Sequence, residues 1–339
     1  MNLITDVAGI SVGQHHDASR ATGVTVVLVD EPNTASVVIR GGAPGSRDTA
    51  FLEPEMSATG VNAFVLSGGS AIGLDAAGGV MAVLRSRGIG FRIGTALVPL
   101  VSQAIVFDLL NGGDKDWGAE PFYWHLGKRA VEAAGRGAFA LGTAGGGFGA
   151  TTATFKGGTG SASQVTASGF TVGAIAIVNA VGTATIGDGP HFWAAGVERN
   201  REFGGLGMPA HLHAADLALR TKGARPPPST TIAVIATDAM LTKAQVKRLA
   251  IMADDGLARA IRPAHAPMDG DTVFACATQR RPLSPDFEAP LLTELGMAAG
   301  DCIARAIARG VYEATALPFA NALPAWRDRF PEHFMAERS

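Results

Sequence analysis

Five stretches of the chain are apolar almost throughout and rich in β-branched residues, a pattern typical of strands that are buried on both faces. Each stretch is bounded by Gly, Pro, Asn or Asp, which commonly end strands. The predicted strands cover residues 24–30, 35–41, 62–68, 173–180 and 231–238. The pattern therefore favours sheet that is covered on both sides.

Four other stretches carry apolar residues at helical spacing. The predicted helices cover residues 70–88, 121–135, 241–261 and 289–314. The third is the clearest, because Thr242 and Gln245 have the spacing of a capping box. Since strands and helices are mixed along the chain, the sequence predicts a layered α/β protein.

A proline-rich linker, "TKGARPPPS" at 221–229, divides the chain. Such segments stay extended and do not pair in a central strand. The part after it is too short to close a core of its own, so we expect one domain over residues 1–339. The linker ends on Ser229 and Thr230, immediately before a predicted strand, which raises the question of whether Thr230 becomes a new chain end.

The composition supports a large buried core, because 47% of the 339 residues are hydrophobic and only 17% are charged. A net charge of −2 without a basic cluster gives no support for nucleic-acid binding. No apolar run reaches membrane-spanning length, and the N-terminus lacks signal-peptide features. We therefore expect a soluble, cytoplasmic protein without nucleic-acid or membrane partners. Cys276 and Cys302 are far apart in apolar stretches, which predicts core residues rather than a disulfide.

The chain has two glycine-rich loops, at 67–77 and 142–158. The first follows a predicted strand and opens a predicted helix. Neither matches the dinucleotide fingerprint or the ending of a phosphate-binding loop. They are either tight turns between packed elements or places where backbone N–H groups approach a substrate or form an oxyanion hole.

The histidines give no support for a metal site. Seven of the eight form a pair, a short repeat and three isolated residues: His15 and His16, His211 and His213, and His125, His191 and His265. Neighbouring or i,i+2 histidines on a helix do not share a face, and no third ligand lies at a familiar spacing.

Asp269 and Asp271 flank a glycine immediately before an apolar strand. Such a pair caps a turn, binds a cation or orients an amine. From this stretch alone the turn is favoured, and the other two interpretations stay open.

Thr230 lacks the surroundings of an ordinary hydroxyl nucleophile, because the chain has no Gly-x-Ser-x-Gly elbow followed by Asp and His. A threonine at the start of a strand is usually structural. If the Ser229–Thr230 bond were cut, however, the free α-amine of Thr230 would serve as its own base.

Several stretches together resemble the L-aminopeptidase/D-esterase family, which includes β-aminopeptidases and the nylon-oligomer hydrolase. They span most of the chain in the family's order: "ITDVAGISVGQ", "VIRGGAPGSRDTAFLEP", "SGGSAIGLDAAGGVM", "IVNAVG", "STTIAVIATDAMLTK" and "HAPMDGDTVFA". Members are similar to N-terminal-nucleophile hydrolases, which cleave themselves before a Ser or Thr. The resemblance implies an α/β fold, a four-layer α-β-β-α sandwich that is shared with ornithine acetyltransferase.

The resemblance places self-cleavage at Ser229–Thr230, which would give an α chain of residues 1–229 and a β chain of residues 230–339. Thr230 would then be the nucleophile at the start of the β chain. Members vary at the residue before the cut, so Ser229 departs little from the family.

The remaining site residues follow from the same resemblance. Lys156 matches a lysine near the nucleophile whose charge is expected to keep the α-amine neutral. Asn179 matches an asparagine that donates to the oxyanion of the tetrahedral intermediate. Asp269 and Asp271 match the acidic pair that orients the nucleophile and supports self-cleavage. Phe107 stands where some members have a tyrosine, and its ring is expected to line the substrate pocket without donating a hydrogen bond.

The function implied is a self-processing aminopeptidase or amidohydrolase that acts through an acyl-enzyme on Thr230. Its substrates would be short peptides, or amino-acid amides and esters, with a free N-terminal amine. No metal or organic cofactor is expected. The processed units are expected to form a homo-oligomer. Two alternatives stay open: an acyltransferase of the same fold, and an unprocessed, non-catalytic protein that binds a small ligand.

Overall fold

The computed structural model describes residues 1–223 and 227–334 of the chain. Three residues of the predicted linker, 224–226, therefore lie outside the described part. The strands are β1 (Ile10–Asp17), β2 (Thr22–Val29), β3 (Thr34–Ile39), β4 (Ser46–Arg47), β5 (Ala63–Ser67), β6 (Phe91–Ile93), β7 (Ala96–Val98), β8 (Val101–Ile105), β9 (Gly158–Val165), β10 (Thr171–Asn179), β11 (Thr230–Ala239) and β12 (Thr272–Arg281). The helices are α1 (Ser70–Gly73), α2 (Ala76–Ser86), α3 (Phe122–Glu132), α4 (Lys243–Ala260), α5 (Glu288–Tyr312) and α6 (Trp326–Arg329).

Ten of these strands form two five-stranded sheets. The first has the order β1-β2-β5-β8-β4 and the second the order β3-β12-β11-β10-β9, while β6 and β7 form a separate hairpin. Neighbouring strands are antiparallel except for two parallel pairs, β5 with β8 and β11 with β12. Each parallel pair is joined by a connection that contains a helix, as parallel strands require.

The two sheets pack face to face between two layers of helices. Apolar side chains from both sheets meet in the centre, where the rings of Phe64 and Phe274 stack with centroids 4.9 Å apart. Helices α2 and α3 cover the outer face of the first sheet, and α4 and α5 cover the second. This arrangement confirms the expected α-β-β-α sandwich.

The predicted elements are largely confirmed. The five predicted strands correspond to β2, β3, β5, β10 and β11, with ends that differ by at most two residues. All residues of β11 are buried, as the continuous apolar run indicated. Both halves of the capping box at the start of α4 are formed. Cys276 and Cys302 are buried and free, as expected.

The single helix predicted over 70–88 is wrong, because the structure divides it into α1 and α2. At the division, Leu74 N–H donates to Ala71 O and Asp75 N–H donates to Ile72 O, so the bonding is that of a tighter turn.

Strand β9 was missed because its sequence, "GTGSASQV", is small and polar. Its glycines let α5 approach very closely: a Cβ on Gly160 would lie 1.8 Å from the carbonyl oxygen of Ala306. Close packing of a helix, rather than a β-branched run, therefore specifies this strand. In the described part of the chain, no helix is both long enough and apolar enough to cross a membrane.

Candidate active site

The candidate site lies at one end of the second sheet, where β10 ends and β9, β11 and β12 begin. The antiparallel register places Asn179, the last residue of β10, opposite Thr230, the first residue of β11. Lys156 lies two residues before β9, and Asp269 and Asp271 precede β12. The fold thus gathers at one sheet end all five residues to which the family resemblance assigned catalytic roles.

The peptide bond between Ser229 and Thr230 is held from both sides. Ser229 N–H donates to Met268 O at 3.1 Å, and Gly270 N–H donates to Ser229 O at 2.8 Å. The hydroxyl of Thr230 also donates to Ser229 O. The carbonyl that precedes Thr230 therefore has a hydroxyl and a backbone N–H directed at it.

Gly270 permits this arrangement because it has no side chain. A Cβ at this position would lie 2.7 Å from Thr230 Oγ1 and 2.9 Å from Ala43 O, distances that real Cβ atoms do not adopt. Only a glycine lets the backbone at this position pass so close to the threonine hydroxyl.

The two carboxylates secure the backbone on either side of this bond. Asp269 accepts hydrogen bonds from Ala266 N–H at 3.0 Å and from Val181 N–H at 3.4 Å. Asp271 Oδ1 accepts from Thr231 N–H at 2.7 Å. The turn and the orienting interpretations of this pair are thus compatible. Burial, together with the charge of Asp271, raises the pKa of Asp269 to about 6.

Lys156, which precedes β9 at this sheet end, is fully buried. Its Nζ donates to Gly157 O at 2.8 Å and to Gly147 O at 3.0 Å, so one glycine-rich loop supplies carbonyls to this amine. Burial lowers the pKa of Lys156 to about 7. Because the amine is neutral above that pH, the charge that the family resemblance assigned to Lys156 is present only under more acidic conditions.

The side-chain amide of Asn179 has a fixed orientation. Its Nδ2 donates to Phe107 O at 3.0 Å, while its Oδ1 accepts from Thr151 N–H at 3.0 Å and from Lys222 Nζ at 3.1 Å. Lys222 Nζ also donates to the backbone oxygen of Asn179 at 3.1 Å. Desolvation of its ammonium lowers the pKa of Lys222 to about 7.

A cavity of about 460 Å³ opens beside these groups. Its walls include Phe107, Asp108, Thr151, Lys156, Lys222 and Pro227. Phe107 thus lies in the cavity wall, where the sequence predicted a pocket residue. Asp108 is buried and accepts from Thr22 Oγ1 at 2.6 Å and Gly69 N–H at 2.8 Å, and burial raises the pKa of its carboxyl.

Sequence reasoning missed His265, which contacts Asp271 of the acidic pair, and Asp254, which contacts His265 in turn. His265 was treated as isolated, but its Nδ1 lies 2.9 Å from Asp271 Oδ2 and its Nε2 lies 3.4 Å from Asp254 Oδ2. One signal was available: Asp254 follows Val246 and Ala250 at intervals of four, so it falls on the buried face of α4. Among the described residues, no group of three or more His, Cys, Asp or Glu side chains is placed to hold a metal ion.

The fold and the sequence both define the class of this protein. Its four-layer sandwich matches the structure of L-aminopeptidase D-Ala-esterase/amidase from Ochrobactrum anthropi, described as a variant of the Ntn hydrolase fold. The TM-score is 0.68 with 22% sequence identity, covering 98% of this chain and 95% of that one. The model of Peptidase family S58 matches residues 2–323. The chain belongs to this family.

Curated relatives extend the comparison. An uncharacterized aminopeptidase of Mycobacterium tuberculosis is 44% identical over 352 residues, covering 98% of this chain and 99% of that protein. The 6-aminohexanoate-oligomer endohydrolase of an Agromyces species is 27% identical over 286 residues, covering 80% of this chain and 74% of that enzyme. The resemblance inferred from the sequence motifs is therefore confirmed, and the chain is a hydrolase of the aminopeptidase type.

Proposed function

We propose that this chain cleaves its own Ser229–Thr230 bond and that the product is an aminopeptidase or amidohydrolase whose nucleophile is the new N-terminal threonine. One observation carries the proposal: the hydroxyl of Thr230 and the N–H of Gly270 are both directed at the carbonyl oxygen of Ser229. The contact brings Oγ1 next to this carbonyl, and the Gly270 N–H is placed to stabilise negative charge on its oxygen. For attack, the hydroxyl proton turns from the carbonyl oxygen toward the base, which leaves an Oγ1 lone pair to bond with the carbonyl carbon.

Self-cleavage begins when Thr230 Oγ1 bonds to the carbonyl carbon of Ser229 and loses its proton to a base. The Gly270 N–H stabilises the negative charge that forms on the carbonyl oxygen. The C–N bond then breaks, the departing nitrogen takes up a proton, and an ester links Ser229 to Thr230. Water hydrolyses this ester, which leaves the carboxylate of Ser229 and the free amine and hydroxyl of Thr230.

Lys156 is the base that we assign to this first step. Its neutral amine has two hydrogens, which Gly147 O and Gly157 O accept, and its lone pair remains available for a proton. The α-amine of Thr230 cannot act here, because it is still part of the peptide bond.

In the processed enzyme the α-amine of Thr230 takes over as base. Its reference pKa of about 7.7–8.0 suits proton transfer near neutral pH. Thr230 Oγ1 attacks the substrate carbonyl, Asn179 and backbone N–H groups hold the oxyanion, and the leaving amine or alcohol departs with the proton. Water then releases the acyl group from Thr230.

We propose substrates that are short peptides, or amino-acid amides and esters, with a free amine. The family and the relatives named as aminopeptidases support a terminal amine, and the relative that acts on 6-aminohexanoate oligomers extends the range to longer aliphatic spacers. A cavity of about 460 Å³ is in the range that accommodates small ligands.

The test is the intact mass and N-terminal sequence of freshly purified protein. We expect two chains, the second beginning Thr-Thr-Ile-Ala-Val, and hydrolysis of amino-acid amides by this material. Thr230→Ala should remain full length and inactive, whereas Thr230→Ser should still process and Ser229→Ala should process like the wild type. A stable, full-length wild-type chain would falsify the proposal.

A further inference from the structure

His265 joins two buried carboxylates that come from different elements. Its Nδ1 lies 2.9 Å from Oδ2 of Asp271, the residue before β12, and its Nε2 lies 3.4 Å from Oδ2 of Asp254 on α4. The backbone N–H of His265 also donates to Asp271 Oδ2, at 3.0 Å. One oxygen of Asp271 is therefore held entirely by this histidine.

The other oxygen of Asp271 leads directly to the proposed nucleophile. Asp271 Oδ1 accepts from the N–H of Thr231, the residue after Thr230, at 2.7 Å. A continuous chain of contacts thus runs from α4 through the imidazole and the carboxylate to the first peptide of β11. Rotation of Asp271 would release Thr231, and with it the backbone that carries Thr230.

The backbone of His265 has an energetically unfavourable conformation. Its φ angle is +56°, in the left-handed region that residues other than glycine seldom adopt. Such conformations are unfavourable and are retained where the surroundings need them. Here the left-handed backbone lets both the N–H and the ring of one residue reach the same carboxylate oxygen.

The charges around the imidazole favour its protonated form. Asp254 and Asp271 face its two ring nitrogens, Arg40 Nε lies 3.8 Å from the same Asp254 oxygen that faces the ring, and Asp269 is near Asp271. The hydrogen bonds to Asp254 and then Asp271 raise the pKa of His265 to about 10. An imidazolium supplies two N–H donors, one for each carboxylate.

We propose that His265, anchored by Asp254, is a positioning residue that fixes Asp271 and thereby holds Thr230 in place for self-cleavage and for catalysis. This inference rests on the proposed function. It assigns a role to a buried carboxylate, Asp254 on α4, for which the structure records, among the described residues, no contact with the cavity or with the Ser229–Thr230 bond. It also explains why a helix that packs against the second sheet contributes a charged side chain to that packing layer.

The experiment removes the imidazole and returns it from solution. In His265→Ala, self-cleavage and the kcat of the processed enzyme should fall about 100-fold, because a displacement of about 1 Å at a reacting group costs about that much. KM should change little, since His265 does not line the cavity. Added imidazole should restore both rates, because the side chain is partly exposed and the space it leaves is open to solvent.

The pH dependence of rescue separates positioning from simple packing. Rescue should weaken as the pH rises above the pKa of free imidazolium, near neutrality, because the neutral ring cannot donate to both carboxylates. The matched control is His191→Gln, which changes a histidine whose ring contacts only the backbone oxygen of Gly207 among the described contacts and should leave both rates unchanged. His265→Gln keeps a donor and should show a smaller loss than His265→Ala.

The other possible results separate a positioning role of His265 from a structural one, and from failure of the proposed function. If the wild type processes and both His265 variants match it, the positioning role is overturned and the proposed function stands. Slow variants with a lowered melting temperature and no response to imidazole also overturn it, in favour of a purely structural role. A wild type that neither processes nor hydrolyses overturns the proposed function, and this inference with it.

Discussion

Asn179 lies directly opposite Thr230 in the antiparallel pair formed by β10 and β11. Residues at paired positions of neighbouring strands have Cβ atoms roughly 4.5–5.5 Å apart, so the amide and the hydroxyl lie close together without depending on a flexible loop. The amide orientation is fixed as well, because Thr151 N–H and Lys222 Nζ both donate to Asn179 Oδ1. The strand pairing therefore places next to Thr230 the amide to which the proposed mechanism assigns the role of oxyanion donor.

Asn179→Ala should lower kcat by about 100- to 1,000-fold, the usual cost of losing one oxyanion donor. KM should change much less, because the donor acts on charge that develops in the transition state. The measurement is steady-state hydrolysis of an amino-acid amide by fully processed enzyme. An unchanged kcat would show that Asn179 only supports the structure of the strand end.

Gly270→Ala should block or strongly slow self-cleavage. The new Cβ would lie 2.7 Å from Thr230 Oγ1, so the hydroxyl, the donor N–H or both must move. We expect full-length protein after expression, detected as one mass instead of two. A melting temperature close to that of the unprocessed Thr230→Ala variant would show that the fold itself is intact.

Gly196→Ala is the matched control, because a Cβ at Gly196 meets no atom within 4 Å and its φ is not in the left-handed range. This variant should process like the wild type. If Gly270→Ala also processes normally, the N–H of Gly270 is not the donor for the scissile carbonyl.

The self-cleavage rate should rise as the pH increases through about 7, the pKa to which burial lowers Lys156. Below that pH the amine is protonated and has no lone pair to accept the threonine proton. Lys156→Met should lack this rise and be slower by about 100-fold or more above pH 7. Precursor made by cell-free synthesis, sampled over time at a series of pH values, gives the rates by intact mass.

Lys128→Met is a suitable control for that series, because Lys128 is exposed on α3 and pairs only weakly with Glu132. Its pH profile should match the wild type. A rise near pH 7 that persists in Lys156→Met would assign the titrating base to another group, with Asp269 the first to examine because its pKa is raised to about 6.

The sequence predicted the strands that are specified by their own residues. β10 and β11 contain continuous apolar runs, the pattern of strands buried on both faces, and the capping box of α4 acts locally. β9 was not predictable in this way, because its glycines are explained only by the helix that packs on them. The break between α1 and α2 likewise involves a tertiary contact, because the side chain of Gln103 on β8 donates to Gly73 O and accepts from Ala77 N–H at the division.

The candidate site likewise combines residues that sequence motifs indicate with an arrangement that only the fold creates. Family motifs located Thr230, Asn179 and Lys156, but their meeting at one sheet end follows from strand order, which no local pattern encodes. The sequence around His265 shows no partner, because Asp271 and Asp254 lie six and eleven residues away in opposite directions along the chain. Likewise, a lowered lysine pKa depends on burial, so a sequence motif suggests a charge where the folded protein holds a neutral amine above pH 7.

His265 should also make stability depend on pH in a defined direction. Its pKa is about 10 in the folded chain, above the value of 6.5 that applies when it is unpaired. A histidine with a raised pKa contributes its full stabilisation below its unfolded pKa, and this contribution disappears as the pH rises through the folded pKa. The comparison is best made in Thr230→Ala protein, so that both chains remain uncut.

In that background, His265→Gln should melt at a lower temperature than its parent, because glutamine cannot place a charge between Asp254 and Asp271. The difference between the two melting temperatures should be largest at about pH 6 and should shrink steadily toward pH 10, where the parent loses the proton. Asp269 titrates in both proteins, so most of its effect cancels in the difference. A gap that stays constant over this range would mean that His265 contributes through packing alone, and that no imidazolium holds the two carboxylates together.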